Sequence, residues 1–317
     1  MTSKSTTDQA FVRDDLHGTV EEPTYSGALS FMRRKYSRDL AGVDVAVTGI
    51  PFDLGTSNRP GARLGPRAIR AVSSNLAWAQ LDEWGFDALD KLAVIDYGDC
   101  DFDPGRPEQI PARIQAHAHT VLSRDVALLS LGGDHFITYP LLQAHAEKYG
   151  PLSLIQFDAH SDAWEDEDGR IDHGTMFYHA AQQGLVIPER SVQIGIRTYN
   201  AHAWGYNILK GSWVHEHRAQ AASAEIRRVV GANKCYLTFD IDCLDPCYAP
   251  GTGTPVVGGF TTYQAQQILR GLRGLNLIGM DLVEVAPPYD VGELTALAGA
   301  SLALEMLYLY AAKPGGA

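Results

Sequence analysis

The stretch Leu154-Ile155-Gln156-Phe157-Asp158-Ala159-His160-Ser161-Asp162 governs the reading of the whole chain. A short apolar run, strand-like in length and residue type, stops at Asp158, and from there every second side chain is a potential metal donor. Extended residues at i, i+2 and i+4 project to one side, so Asp158, His160 and Asp162 are expected to converge. The same punctuation recurs elsewhere. Leu128–Leu131 runs into Gly132-Gly133-Asp134-His135, Tyr236–Phe239 into Asp240-Ile241-Asp242, and Leu277–Met280 into Asp281-Leu282-Val283-Glu284. The glycine pair before His135 is expected to let the backbone turn tightly. One acid at a strand end is ordinarily a helix cap or a solvated turn. Four such ends on one edge of a sheet would repel each other unless a cation neutralised them.

Working outward, seven apolar runs read as strands: 44–50, 92–96, 126–131, 152–157, 192–196, 235–239 and 275–280. They are continuously apolar and rich in Val, Ile and Leu, as strands covered on both faces should be. Helical patterns fall between them at 66–80, 108–122, 140–148, 219–230, 263–272 and 293–310, with Pro66 suited to a first helical turn. Strands alternating with helices predict an α/β fold, a mostly parallel sheet with helices on both faces. Such sheets bind ligands beyond the carboxyl ends of their strands, where all four acidic segments lie.

The 317-residue chain is 45% hydrophobic and 20% charged, the composition of a globular protein, and shows no repeat or linker. Residues 1–25 read as a flexible polar arm and 26–317 as a single catalytic domain. No apolar run suggests a membrane span, and no secretory signal is visible, so a cytoplasmic protein is expected. A net charge of −12 argues against nucleic acid and anionic membranes as partners and mildly favours a cationic ligand. Cys100, Cys235, Cys243 and Cys247 form no CxxC and read as free thiols; two thiolates at 243 and 247 would not close a zinc site.

Four ligand carboxylates and two imidazoles exceed what a closed zinc site needs, and suit a pair of metals with shared carboxylates. Oxygen-rich donors with some nitrogen favour manganese, two ions per subunit, with iron, cobalt or zinc as possible substitutes. Two divalent ions set against four carboxylates and a hydroxide leave the centre about one unit negative, before Glu284 is counted. That balance favours hydrolysis of a cationic centre over a phosphate ester.

The segments Gly132–His135, Phe157–Asp162 and Phe239–Pro246, joined by Ala249–Pro255 and Gly279–Pro287, closely resemble the signature segments of the ureohydrolases, the family of arginase and agmatinase. The likeness runs from about Gly49 to Leu309. It implies an arginase-like three-layer α/β/α fold, a dimanganese centre, and homo-oligomers, either trimers or hexamers. Carried over by position, His135, Asp158, Asp162 and Asp240 would hold one metal, and Asp158, His160, Asp240 and Asp242 the other. A bridging hydroxide would then attack a guanidinium carbon held by Glu284, whose valine flanks suggest that it points away from the buried face. Asp162 would pass a proton to the leaving amine, His173 would shuttle protons, and Asp281 would support the site from behind.

Within the family, the residues by which arginases read an amino acid's carboxylate and amine are replaced here by Trp164, Gly169 and Asn200. An unpartnered carboxylate would be costly to bury there, so arginine is disfavoured. Asn75–Trp78, Asp172–Tyr178 and Val192–Thr198 resemble agmatinase segments, which makes agmatine the expected substrate and a small cationic guanidino compound the expected partner. Guanidinobutyrate or a related guanidino acid is the alternative, and an inactive metal-bound scaffold the second.

Other features read as ordinary. Gly251-x-Gly253 lacks the following helix a phosphate loop needs, and no GxSxG is present. His117 and His119 cannot share a helix face and read as solvated, while His215 and His217 read as a surface strand or loop. Trp204 and Tyr206 either wall the substrate entrance or simply pack.

Overall fold

The computed structural model describes residues 7–166 and 170–314. Among these residues nine strands form one sheet in the order β1-β3-β2-β4-β9-β8-β5-β6-β7, and every pairing is parallel. They are β1 (Lys35–Tyr36), β2 (Val45–Ile50), β3 (Val94–Asp99), β4 (Ala127–Gly132), β5 (Ser153–Phe157), β6 (Val192–Ile196), β7 (Asn207–Lys210), β8 (Lys234–Asp240) and β9 (Asn276–Val283). All seven expected strands are present. The two additional ones, β1 and β7, are short, sit at the sheet edges and carry polar residues, so neither has an apolar run to reveal it.

Successive side chains of a strand point to opposite faces, and the core divides accordingly. A short first helix, α1 (Gln9–Val12), precedes β1. Leu129, Leu131, Phe157, Phe239 and Leu282 join one apolar cluster with residues of α2 (Gly65–Ser73), α3 (Ala88–Lys91), α7 (Gly211–Val230), α8 (Thr262–Gly271) and α9 (Leu294–Ala311). Leu128, Leu154, Tyr236 and Ile278 join the other, with residues of α4 (Ile110–Leu122), α5 (Thr138–Tyr149) and α6 (Met176–Gln182). The result is the expected three-layer α/β/α arrangement. By length and hydropathy α9 would pass for a membrane span, but 83% of it is buried inside the protein. Its one charge, Glu305, takes Arg270 and the Trp84 indole N–H as partners.

The segment 211–218 continues α7 towards the N-terminus, with a break at Arg218 (φ 69°). His215 and His217 therefore sit on a helix, not on the strand or loop expected. His215 bonds the Gly258 carbonyl, and His217 the Trp213 carbonyl one turn earlier. Residues before β1 also meet the body: Gly18 N–H donates to the Leu89 carbonyl, Val20 N–H to that of Ala77, and the buried Arg33 faces Asp8 and Glu22.

What positions the site is the adjacency of β4, β9, β8 and β5. Leu131 pairs with Leu282, Leu282 with Phe239, and Phe239 with Phe157, so the four carboxyl ends are level. The Phe157 and Phe239 rings stack with centroids 4.8 Å apart and lock that register beneath the acids.

Candidate active site

At the end of β5 the chain leaves the extended conformation. Asp158 N–H still donates to the Ile194 carbonyl, but by Asp162 the backbone is left-handed (φ 47°). The Asp158–Asp162 donors therefore converge from a coiled loop and not, as expected, from a continued strand. Neighbours impose that shape. Gln193 donates to the Ser161 carbonyl (2.6 Å), Phe177 N–H to that of Asp162 (2.9 Å), and the Trp204 indole to that of Ala163 (2.8 Å). Gly133 has a different constraint from the tight turn expected. Its φ is not left-handed, but a Cβ there would overlap the Phe52 backbone.

His135, Asp158, Asp162 and Asp240 each offer one donor atom within 4.8 Å of the others, and all four are buried. His135 Nδ1 stands 2.9 Å from Asp162, 3.0 Å from Asp158 and 3.3 Å from Asp240, yet makes no hydrogen bond of acceptable geometry. The other ring nitrogen explains this. Thr238 has one hydroxyl proton and gives it to Asp281 (2.5 Å), so it accepts from His135 Nε2–H at 2.8 Å. Nδ1 then turns a lone pair toward three carboxylates, an arrangement that fits a cation and is repulsive without one. The acids show the same crowding. Burial and the charge of Asp158 push Asp162 up to about 7, and burial with Asp242 and Asp158 raises Asp240 well above the ordinary carboxylate range.

Asp158, His160 and Asp242 form a second donor group within the same 4.8 Å limit. His160 Nδ1 lies 3.0 Å from Asp242 and 3.4 Å from Asp158. Backbone N–H groups fix the carboxylates: His160 N–H on Asp158 (2.6 Å), Ala159 N–H on Asp242 (3.1 Å) and Asp242 N–H on Asp240 (2.8 Å). The Gln156 amide donates to Asp158 (2.8 Å) and is itself held by Gln193. Asp158 belongs to both groups, and Asp240 falls in the first.

Glu284 follows β9 with a left-handed backbone (φ 64°), a conformation that costs a residue with a side chain of order 1 kcal/mol. It is buried like the valines that flank it. Its Oε1 accepts from His135 N–H and from His173 Nδ1, each at 3.0 Å, whereas Oε2 is buried without a partner. His173 Nε2 lies 3.0 Å from the Ser57 backbone N–H and 2.8 Å from the Ser57 hydroxyl; in the neutral ring Nε2 accepts the N–H and the proton sits on Nδ1, facing Glu284. Burial works against a second proton, but the hydrogen bond and charge of Glu284 outweigh it and raise His173 to about 9. At neutral pH that favours a second proton, on Nε2, which releases Ser57 N–H and turns to the Ser57 hydroxyl 2.8 Å away. Asp281 lies one layer below, accepting from Thr138, Tyr236 and Thr238.

A cavity of about 210 Å³ opens onto His160, Asp162 and Asp240, with Ser57, Trp164, Asp172, His173, Gly174 and Thr254 completing its walls. It borders a second cavity of about 420 Å³, with Ser57 and Asp172 common to both. Trp164 lines the first cavity, and Gly169 lies outside the described residues. Asn200 is occupied at both ends, donating to Ser161 and accepting from His202 N–H. Trp204 and Tyr206 bond the Ala163 and Phe177 carbonyls. His117 is held against Thr48 at 2.7 Å and is not the solvated side chain expected, whereas His119 is partly exposed to solvent, as expected, and pairs at the surface with Glu147 at 2.8 Å. The four cysteines are free. Sequence patterns did not reveal Thr238, Ser57 or Gln193. Thr238 alone left a trace, as a polar residue two positions before Asp240 in an otherwise apolar strand.

The arginase-family model matches residues 43–308. An agmatinase of Chromobacterium violaceum is 56% identical over 304 residues, covering 95% of this chain and 94% of its own. The crystal structure of a hypothetical agmatinase from Burkholderia thailandensis superimposes with a TM-score of 0.94 at 57% identity, over 96% of this chain and 97% of the other. The proclavaminate amidino hydrolase of Streptomyces clavuligerus gives 0.88 at 37% identity, over 92% and 99%. Strand order, clustered donors and matched length agree: this chain belongs to the arginase family.

Proposed function

We propose that the protein is an agmatinase, a metal-dependent amidinohydrolase that converts agmatine and water to putrescine and urea in the cytoplasm. The observation that supports this best is the pairing of His135 Nδ1, ringed by three carboxylates, with the unpartnered Oε2 of Glu284. One feature asks for metal cations and the other for an N–H-rich cationic group. His135, Asp158, Asp162 and Asp240 would hold one ion; Asp158, His160, Asp240 and Asp242 would hold the other. Manganese suits so oxygen-rich a set. When bound, the pair supplies an activated water and neutralises the crowded acids.

The side chains do the rest. Glu284 Oε2 accepts guanidinium N–H donors and fixes the plane of the reacting carbon. Asp162 passes a proton to the departing amine. His173, between the cavity and Glu284, carries protons between the site and solvent once it lets go of Ser57 N–H. The buried walls around His135 and Asp158 keep bulk water from screening these charges. Trimers or hexamers are the assembly expected from the family.

A guanidino acid is the second reading, favoured by the likeness to proclavaminate amidino hydrolase and by Arg170 beside Asp172. Urea release from agmatine, 4-guanidinobutyrate and arginine in the presence of manganese separates the two. The agmatinase reading expects agmatine to be preferred by at least about tenfold, since a wrong tail leaves buried polar groups unpaired. Turnover confined to a guanidino acid overturns it.

A further inference from the structure

We propose that Asp172 selects the tail of the substrate: its carboxylate receives the terminal ammonium at the mouth of the reaction cavity. The inference rests on the agmatinase reading and names a residue for a task that reading leaves open. A four-carbon diamine derivative bound by its guanidinium needs an acceptor at its far end. Among the acids lining the reaction cavity, Asp162 and Asp240 face the donor cluster, and Asp172 is the one shared with the outer cavity. It therefore stands where the inner space meets the outer.

The contacts of Asp172 fit a cation receiver. Oδ1 accepts Gly174 N–H at 2.9 Å and is committed to the turn that carries His173. Oδ2 is 2.8 Å from the Arg170 guanidinium, so this oxygen already takes a positive partner. The Arg170 side chain is 76% exposed, and an ion pair so open to water is cheap to exchange. An incoming ammonium can displace Arg170 from Oδ2 without disturbing the turn at Oδ1. Trp164 lies against that turn, with ring atoms 3.5 and 3.9 Å from where a Cβ on Gly174 would sit. It offers an apolar wall for the methylene chain, and its ring face favours a nearby cation. A terminal carboxylate would meet Asp172 as a like charge.

Asp172→Asn tests this, because asparagine keeps the Oδ1 acceptor for Gly174 N–H and removes the charge. The reading is the ratio of kcat/KM for agmatine to that for butylguanidine, which has the same chain and no tail ammonium. Any general damage to His173 or the metals cancels in the ratio. It should fall about tenfold, carried by KM for agmatine. Arg170→Ala, which frees Oδ2, should hold or raise the same ratio. An unchanged ratio in Asp172→Asn overturns the assignment while leaving the agmatinase reading intact. A wild-type enzyme that does not prefer agmatine to butylguanidine overturns the assignment as well, and one that hydrolyses neither overturns both.

Discussion

The carboxylate of Asp158 belongs to both donor groups, whereas His173 belongs to neither. That contrast makes their roles separable. Asp158→Asn is expected to lose metal and activity together, because one shared charge leaves both groups. His173→Ala is expected to keep its metal while kcat falls about 10²- to 10⁴-fold, the usual size of a proton-transfer contribution. Elemental analysis beside steady-state kinetics checks both, and equal metal loss in the two variants would contradict the assignment. At this scale the sequence was informative wherever chemistry demands a charged donor, since Asp and His cluster improbably for any other reason. It was silent on Thr238, which sets the tautomer of His135, and on Ser57, which does so for His173. A hydroxyl or a backbone N–H acquires such a role only from what the fold brings beside it.

At the scale of elements, continuous apolar runs exposed every interior strand, because burial on both faces leaves no polar alternation to confuse the reading. The loop after Phe157 departs from the extended pattern for a related reason. Periodicity describes extended backbone, and only long-range bonds from Gln193, Phe177 and Trp204 show that the chain coils there. Helix α5 carries a further consequence. His145 is fully buried on it, donating from Nδ1 to the Leu141 carbonyl (2.7 Å), with Nε2 unpartnered and the ring edge-on to Tyr236. Burial lowers its pKa to about 4, against about 6.5 in an unfolded chain. The unfolded state thus binds more protons between these values, and stability falls as pH drops through that window, by up to ~3 kcal/mol. Below about 4 both states are protonated and this contribution is gone. Chemical denaturation at pH 7, 5.5 and 4 should show a steeper loss in wild type than in His145→Gln. Parallel pH dependences would show that His145 is not held neutral.

For the whole molecule, the decisive fact is strand order. β9 and β8 insert between β4 and β5, which brings residues from distant parts of the chain onto one short stretch of sheet edge. Apolar runs identify strands but not their neighbours, so the order was not legible, although the convergence it produces was. The fold then gathers acids that repel one another in a chain already at net charge −12, and tolerates this where His135 and His160 frame places for cations. The most direct test is metal content measured against turnover on the same sample. Purified protein should carry about two divalent ions per chain; a chelator should remove them and abolish urea release from agmatine, and added Mn²⁺ should restore it. Undiminished turnover by protein shown to be metal-free would contradict the account.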